Sequence, residues 1–388
     1  MNFKLTPEEE SFRKEVHDFL QKESTPELAN ELNSGLGLST LGWQFIRKLG
    51  ERGWLVPTLP HEYGGLGGSY LQHYIIFDEC AYFFPEWLML FGTHIVAPVL
   101  IKVGSEEQKK EYLPRIARGE IEFAIGYTEP EAGSDLANIG IRAVEQDDCY
   151  LINGQKTFNT GCHYAQYHWL CARTEVTERK HRGLSFFIVP LDSPGITINP
   201  MWGIAGERTN EVFYDNVKVP KSNLVGEKNR GFYHMLAALE YERTFPVGHL
   251  CRALEDLMKY VKETKRNGKF LAQNPLVRHK LAELATEVEV AWGLAYHVAW
   301  LVDNGKPSDY EGPIAKVFIT ELEQRLSYTG LCIMGLHGTL DQKSKYSPLM
   351  AGWLEHWFLS NTRRTISAGA NEIQRSIIAQ RGLGLPRG

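Results

Sequence analysis

Apolar residues recur at three- and four-residue spacing over the first third of the chain. They then fall into short clustered runs, and beyond residue 230 they return to helical spacing. Phe12, Val16 and Phe19-Leu20 follow Thr6-Pro-Glu-Glu-Glu, which reads as an N-cap with Pro and acids in the first turn. Trp43, Phe45-Ile46, Leu49 and Trp54 make a second amphipathic run. The turn residues of Pro60-His-Glu-Tyr-Gly-Gly-Leu-Gly-Gly68 break it. Further helices are expected over Tyr70 to Phe84 and Trp87 to Val103, with Ser105 capping another.

From residue 122 the character changes. Tyr150-Leu-Ile-Asn, Tyr167-His-Trp-Leu-Cys-Ala, Leu184-Ser-Phe-Phe-Ile-Val and Glu211-Val-Phe-Tyr are rich in β-branched and aromatic residues. Asp-Asp, Asn-Gly, Ser-Pro-Gly and Asp-Asn turns separate them, a pattern that predicts a small antiparallel β-barrel or sandwich. Met235 to Arg243, Leu281 to Trp300 and Ala315 to Met334 then read as long helices. The expected fold is α+β and multi-domain. It has an N-terminal helical domain (1–121), a central antiparallel β-barrel domain (122–230) and a C-terminal four-helix-bundle domain (231–388).

Charge and composition narrow the function classes. The formal net charge is −5, and no basic stripe is interleaved with aromatics, which argues against a nucleic-acid partner. No apolar run reaches membrane-spanning length, and the first residues lack the apolar segment of a signal peptide. A cytoplasmic location is therefore expected. The six cysteines show no CxxC pair, and the 13 histidines show no HExxH, so no metal site is expected.

Two segments carry chemistry. Thr128-Glu-Pro-Glu-Ala-Gly-Ser-Asp135 closes the β-run Phe123-Ala-Ile-Gly-Tyr127, and Asn153-Gly-Gln-Lys-Thr-Phe-Asn-Thr-Gly161 begins with an Asn-Gly hairpin signal. Gly133 and Ser134 offer small side chains and backbone N–H groups, while Phe158 and Thr160 offer a flat face and a hydroxyl. A flat ring system with polar edges needs that combination. The two segments resemble the flavin-binding middle domain of the acyl-CoA dehydrogenases, and the resemblance extends over nearly the whole chain.

The resemblance implies FAD, held by Tyr127, Thr128, Gly133, Ser134, Phe158 and Thr160. It also implies an acyl-CoA substrate, an electron-transferring flavoprotein as acceptor, and a homotetramer or heterotetramer. The family reaction removes an α-proton from the thioester and delivers the β-hydride to flavin N5. In many members the base lies in a C-terminal segment resembling Ile366-Ser-Ala-Gly-Ala-Asn-Glu-Ile-Gln-Arg375. Gly369, Ile373, Gln374 and Arg375 match, but the acid position is Ala368. Other members carry the base before an Arg on an earlier helix, which Glu242-Arg243 matches. Glu242 is thus the expected catalytic base. Ser134, Arg243, Thr93, His94, Ala368 and Gly369 are the expected substrate-side residues.

Lys265 or Arg266 stands near the family's interface cation, with the register open. Cys332-Ile-Met-Gly-Leu-His-Gly338 replaces a Gln-and-double-Gly motif. These departures resemble dehydrogenases of bulky or steroid side-chain acyl groups. They leave open a half-site or non-catalytic partner subunit, an enoyl-CoA reductase, or a flavin monooxygenase or oxidase on the same fold.

Overall fold

The computed structural model describes residues 3–86, 90–242, 244–340, 344 and 351–387, with only the backbone given for 237, 239–242 and 351–352. The chain opens with helices α1 (Pro7–Glu23), α2 (Pro26–Leu32), α3 (Thr40–Glu51), α4 (Tyr70–Phe83), α5 (Ala97–Val103) and α6 (Glu106–Ala117). Strands β1 (Phe123–Gly126), β2 (Arg142–Glu145), β3 (Cys149–Lys156), β4 (Tyr167–Arg173), β5 (Leu184–Pro190), β6 (Ile196–Trp202), β7 (Arg208–Pro220) and β8 (Leu224–Val225) follow. Helices α7 (Gly231–Glu242) and α8 (Gly248–Glu263) come next, then the small hairpin β9 (Lys265–Arg266) and β10 (Lys269–Phe270). The chain closes with α9 (Pro275–Asp303), α10 (Glu311–Met334), α11 (Ala351–Ser360) and α12 (Asn371–Ile377). This is the helical, β, helical order expected from the periodicity.

The caps behave as read. Thr6 and Glu9 form a reciprocal capping box on α1, and Ser105 and Gln108 form one on α6. No described helix is long and apolar enough to cross a membrane.

Two compact units emerge. One holds Met1–Ala29, Tyr70–Trp87 and Arg243–Gly388, and the other holds Asn30–Ser69 and Leu88–Glu242. Each has its own apolar core. In the first, Leu250, Leu257, Ala295, Ile319, Leu326 and Leu354 pack together. In the second, Leu100, Leu113, Phe123, Trp169, Phe187 and Val217 form the centre.

The central β-region corrects the expected barrel. Its sheet runs β6-β7-β3-β2-β4-β5-β8, and among the described residues no pairing joins β6 to β8. The sheet is therefore open. It is also mixed, because β1 runs parallel to β4, as does the short β2–β4 contact. The Asn-Gly signal is corrected too. Asn153 and Gly154 lie inside β3, where the register against β7 shifts between Ile152 and Gly154. Gly154 has φ 142°, not the left-handed value of a tight hairpin turn, while Asn216 on the facing strand has φ 51°. Asn153 Oδ1 accepts the Asn216 N–H at 2.8 Å. Two turn signals, one on each strand, thus describe one β-bulge.

Candidate active site

The two motif segments meet through a dense set of buried bonds. Lys156, at the end of β3, is fully buried, and Glu129 is 8% exposed. The Lys156 ammonium donates to the Tyr127 carbonyl at 2.8 Å and to Glu129 Oε1 at 2.9 Å. The Glu129 carboxylate also accepts the N–H groups of Gly140 at 2.7 Å and Ile141 at 3.1 Å. Burial lowers the Lys156 pKa, and the neighbouring Glu129 opposes that shift. The Thr157 N–H reaches the Thr128 carbonyl at 2.9 Å. The Asn159 side chain donates to Ile125 O at 2.9 Å and Thr157 O at 3.1 Å.

Phe158 stands between these anchors. Its φ is 56°, left-handed for a bulky aromatic residue, and its side chain is 62% exposed. Thr160 donates to the Thr209 hydroxyl at 3.2 Å, leaving its oxygen able to accept. Tyr127 is buried, with its ring edge against Phe186 at 5.6 Å. Gly133 and Ser134 are exposed, and a Cβ built on Gly133 would meet nothing within 4 Å. Phe158 is exposed, Gly133 is open, and Thr128 and Thr160 are half-buried, a set of groups whose chemistry fits a flat, polar-edged ring such as a flavin.

The substrate-side residues divide between the two units. Thr93 and His94 are buried on a π-helical turn, Gly92–Val96, that runs into α5. The Thr93 hydroxyl donates to Leu90 O at 2.9 Å. Residues 87–89 of the expected helix lie outside the described residues. Helix α7 packs against the π turn and against α5. Its last residue is Glu242, of which only the backbone is described, while Arg243 lies outside the described residues.

Glu122 supports the π turn and was missed in the sequence, where it reads as one acid beside a strand. It is 4% exposed, and its carboxylate accepts the Gly92 N–H at 2.7 Å. Burial pushes its pKa up to about 8 despite backbone N–H donors from Gly92, Phe123 and Phe91.

Ala368 and Gly369 belong to the other unit. Both are left-handed, with φ 54° and 89°. The Gln374 side chain donates to their carbonyls at 3.3 and 3.2 Å. At φ 89° Gly369 holds a backbone conformation that L side chains rarely adopt, which favours glycine there. The preceding segment is held by Arg364, whose guanidinium reaches the buried Glu323 carboxylate at 2.9 and 3.1 Å. His249 Nε2 lies 2.7 Å from the same carboxylate. Burial alone would push Glu323 up, but the Arg364 charge and the His249 hydrogen bond outweigh it and hold the pKa at about 2.

The expected interface cation is engaged within its own chain. Arg266 caps α10 by donating to the carbonyls of Ile333 at 2.9 Å and Met334 at 3.2 Å. Lys265 lies over the Phe270 ring, 4.7 Å from its centroid.

Comparison with known proteins agrees with this architecture along the chain. Sequence models of the acyl-CoA dehydrogenase N-terminal, middle and C-terminal domains match residues 6–120, 124–217 and 229–383. Acyl-CoA dehydrogenase FadE26 of Mycobacterium tuberculosis is 35% identical, the match covering 100% of this chain and 99% of that protein. A solved structure described as the Tcur3481-Tcur3483 steroid ACAD is 32% identical with TM-score 0.93, covering 100% of both chains. The ChsE4-ChsE5 complex from Mycobacterium tuberculosis contains a chain 34% identical with TM-score 0.92, again covering 100% of both chains. With FadE26 matched from end to end and all three domains recognised in order, the chain belongs to the acyl-CoA dehydrogenases, a family of FAD-dependent oxidoreductases.

Proposed function

We propose that this chain dehydrogenates the α,β-bond of a bulky, branched or cyclic acyl-CoA thioester, with Glu242 as the base. The reading rests on Ala368, which stands where the family resemblance puts the usual acid and cannot take a proton; its backbone is a strained left-handed turn. Glu242 ends a helix that packs on the π turn bearing Thr93 and His94. Its task is to remove the substrate α-proton, a step that favours a desolvated, basic carboxylate. Arg243, Thr93, His94, Ala368, Gly369 and Ser134 remain the substrate-side residues that the family resemblance proposes. FAD, when bound, supplies the hydride acceptor. Tyr127, Thr128, Gly133, Ser134, Phe158 and Thr160 hold it, with Phe158 as the stacking wall.

The small Ala368 side chain and the steroid-named relatives support a bulky acyl group. Electrons are proposed to pass to an electron-transferring flavoprotein. The working assembly is a homotetramer or heterotetramer.

A second reading has its own support. Arg266 Nη2 donates to the carbonyls of its own α10, and Cys332 to Gly338 departs from the family's interface motif, which supports an altered flavin contact at the subunit interface. This chain is then one half of a hetero-oligomer that completes its flavin sites with an unlike subunit. Purified protein carrying about one flavin per chain, bleached anaerobically by one class of linear, branched, cyclic or steroid-like CoA thioester, is the expected result. Colourless protein that takes up flavin only beside a second chain would favour the partner reading.

A further inference from the structure

We propose that the buried Lys156–Glu129 pair is the positioning couple of the flavin site, locking Phe158 in its left-handed backbone and joining the two motif segments into one rigid wall. The inference rests on the flavin reading of this site and goes beyond it to two residues that line none of its surface.

Phe158 poses the physical problem. Left-handed backbone costs an L-residue about 1–2 kcal/mol and survives only where the surroundings over-determine it. A ring that is 62% exposed has little packing of its own to hold it. The restraint must come from its neighbours in the chain, and on the N-terminal side these are Thr157 and Lys156. One ammonium grips two points of the other motif, the Tyr127 carbonyl and Glu129. Glu129 in turn holds the start of the return chain through Gly140 and Ile141. Asn159 closes the C-terminal side through Ile125 and through paired bonds with Asn210.

Mere stability does not account for the pair. A buried ion pair is commonly matched or bettered by apolar residues of similar volume. What apolar packing does not supply is direction: bonds that fix where β3 ends relative to Tyr127 and Thr128. A strained wall facing a ligand needs that direction.

The test uses full-length protein stripped of FAD and reloaded. Lys156→Met and Glu129→Gln remove one partner each, Lys156→Met with Glu129→Leu replaces both by apolar groups, and Val189→Ala in the sheet core is a stability control. The readouts are the FAD dissociation constant and the visible circular dichroism of bound flavin, at temperatures where far-UV signals match wild type. Both single variants should weaken FAD at least about tenfold and alter the flavin band, while Val189→Ala leaves both as in wild type. The double variant removes the unpaired buried charge but leaves the Gly140 and Ile141 N–H groups without their acceptor, so it should regain only part of the lost thermal stability and none of the FAD affinity. Glu129→Gln, which keeps the side-chain shape, carries the test where Lys156→Met does not fold. FAD affinity within twofold of wild type in the folded single variants would overturn the inference, as would full recovery of affinity in the double variant. Wild-type protein that takes up no FAD would instead sink the flavin reading itself.

Discussion

Replacing Glu323 by Gln removes one charge from the centre of the C-terminal helical unit. The carboxylate is fully buried, bonded twice by Arg364 and once by His249. Its folded pKa of about 2, against an ordinary 4.5, is worth about 3 kcal/mol of stability at neutral pH. Breaking a buried pair from one side costs about 3–5 kcal/mol. The Arg364 side chain is 30% exposed and can partly rehydrate, which favours the lower end. The expected loss is therefore about 3 kcal/mol in equilibrium urea unfolding of this unit.

Arg364 sits just before the Ala368–Gly369 turn, so amide exchange should quicken over residues 361–377 and stay unchanged in the β-sheet. Glu323→Leu combined with Arg364→Met should recover only part of the loss, because the buried His249 still lacks its acceptor. A destabilisation under about 0.5 kcal/mol, or no coupling in the double-mutant cycle, would contradict a stabilising Glu323–Arg364 pair.

Three smaller predictions follow from the same groups. Because the Glu323 pKa is depressed on folding, its contribution is complete above about pH 5 and fades as pH falls toward 2, so wild type should lose its advantage over Glu323→Gln in acid melts. Glu122 has the opposite sign: a folded pKa raised to about 8 makes ionisation oppose folding as pH rises from 4.5, by at most about 5 kcal/mol. Glu122→Gln should thus be more stable than wild type at pH 9 and not at pH 5, and an equal gain at both would contradict the assignment. Ala368→Gly relieves one left-handed alanine and should raise thermal stability by up to about 1 kcal/mol, whereas a clear loss would show that the Ala368 methyl contacts matter more.

The helices were legible because their signals are local. Thr6 with Glu9 and Ser105 with Gln108 announce helix starts within four residues. Strand closure is not local. Nothing within β6 or β8 states whether they meet, and the open sheet follows from pairings far apart in the chain. The Asn153-Gly154 signal misled because a bulge and a hairpin turn call on the same residue types, and only the partner strand distinguishes them. Lys156, Glu129 and Glu122 were missed as site-shaping groups because their partners are mostly backbone atoms, which carry no residue signature. The carbonyl partners of Arg266 at Ile333 and Met334 are invisible in a sequence for the same reason.

In the proposed reaction the α-proton goes to Glu242, since Ala368 cannot accept it. Anaerobic titration of FAD-loaded Glu242→Gln with the thioester that bleaches wild type tests it directly. The variant should bind the thioester, seen as a shift of the flavin spectrum, yet bleach at least about a thousandfold more slowly, within the loss expected of a missing general base. Bleaching at the wild-type rate would contradict the relocation.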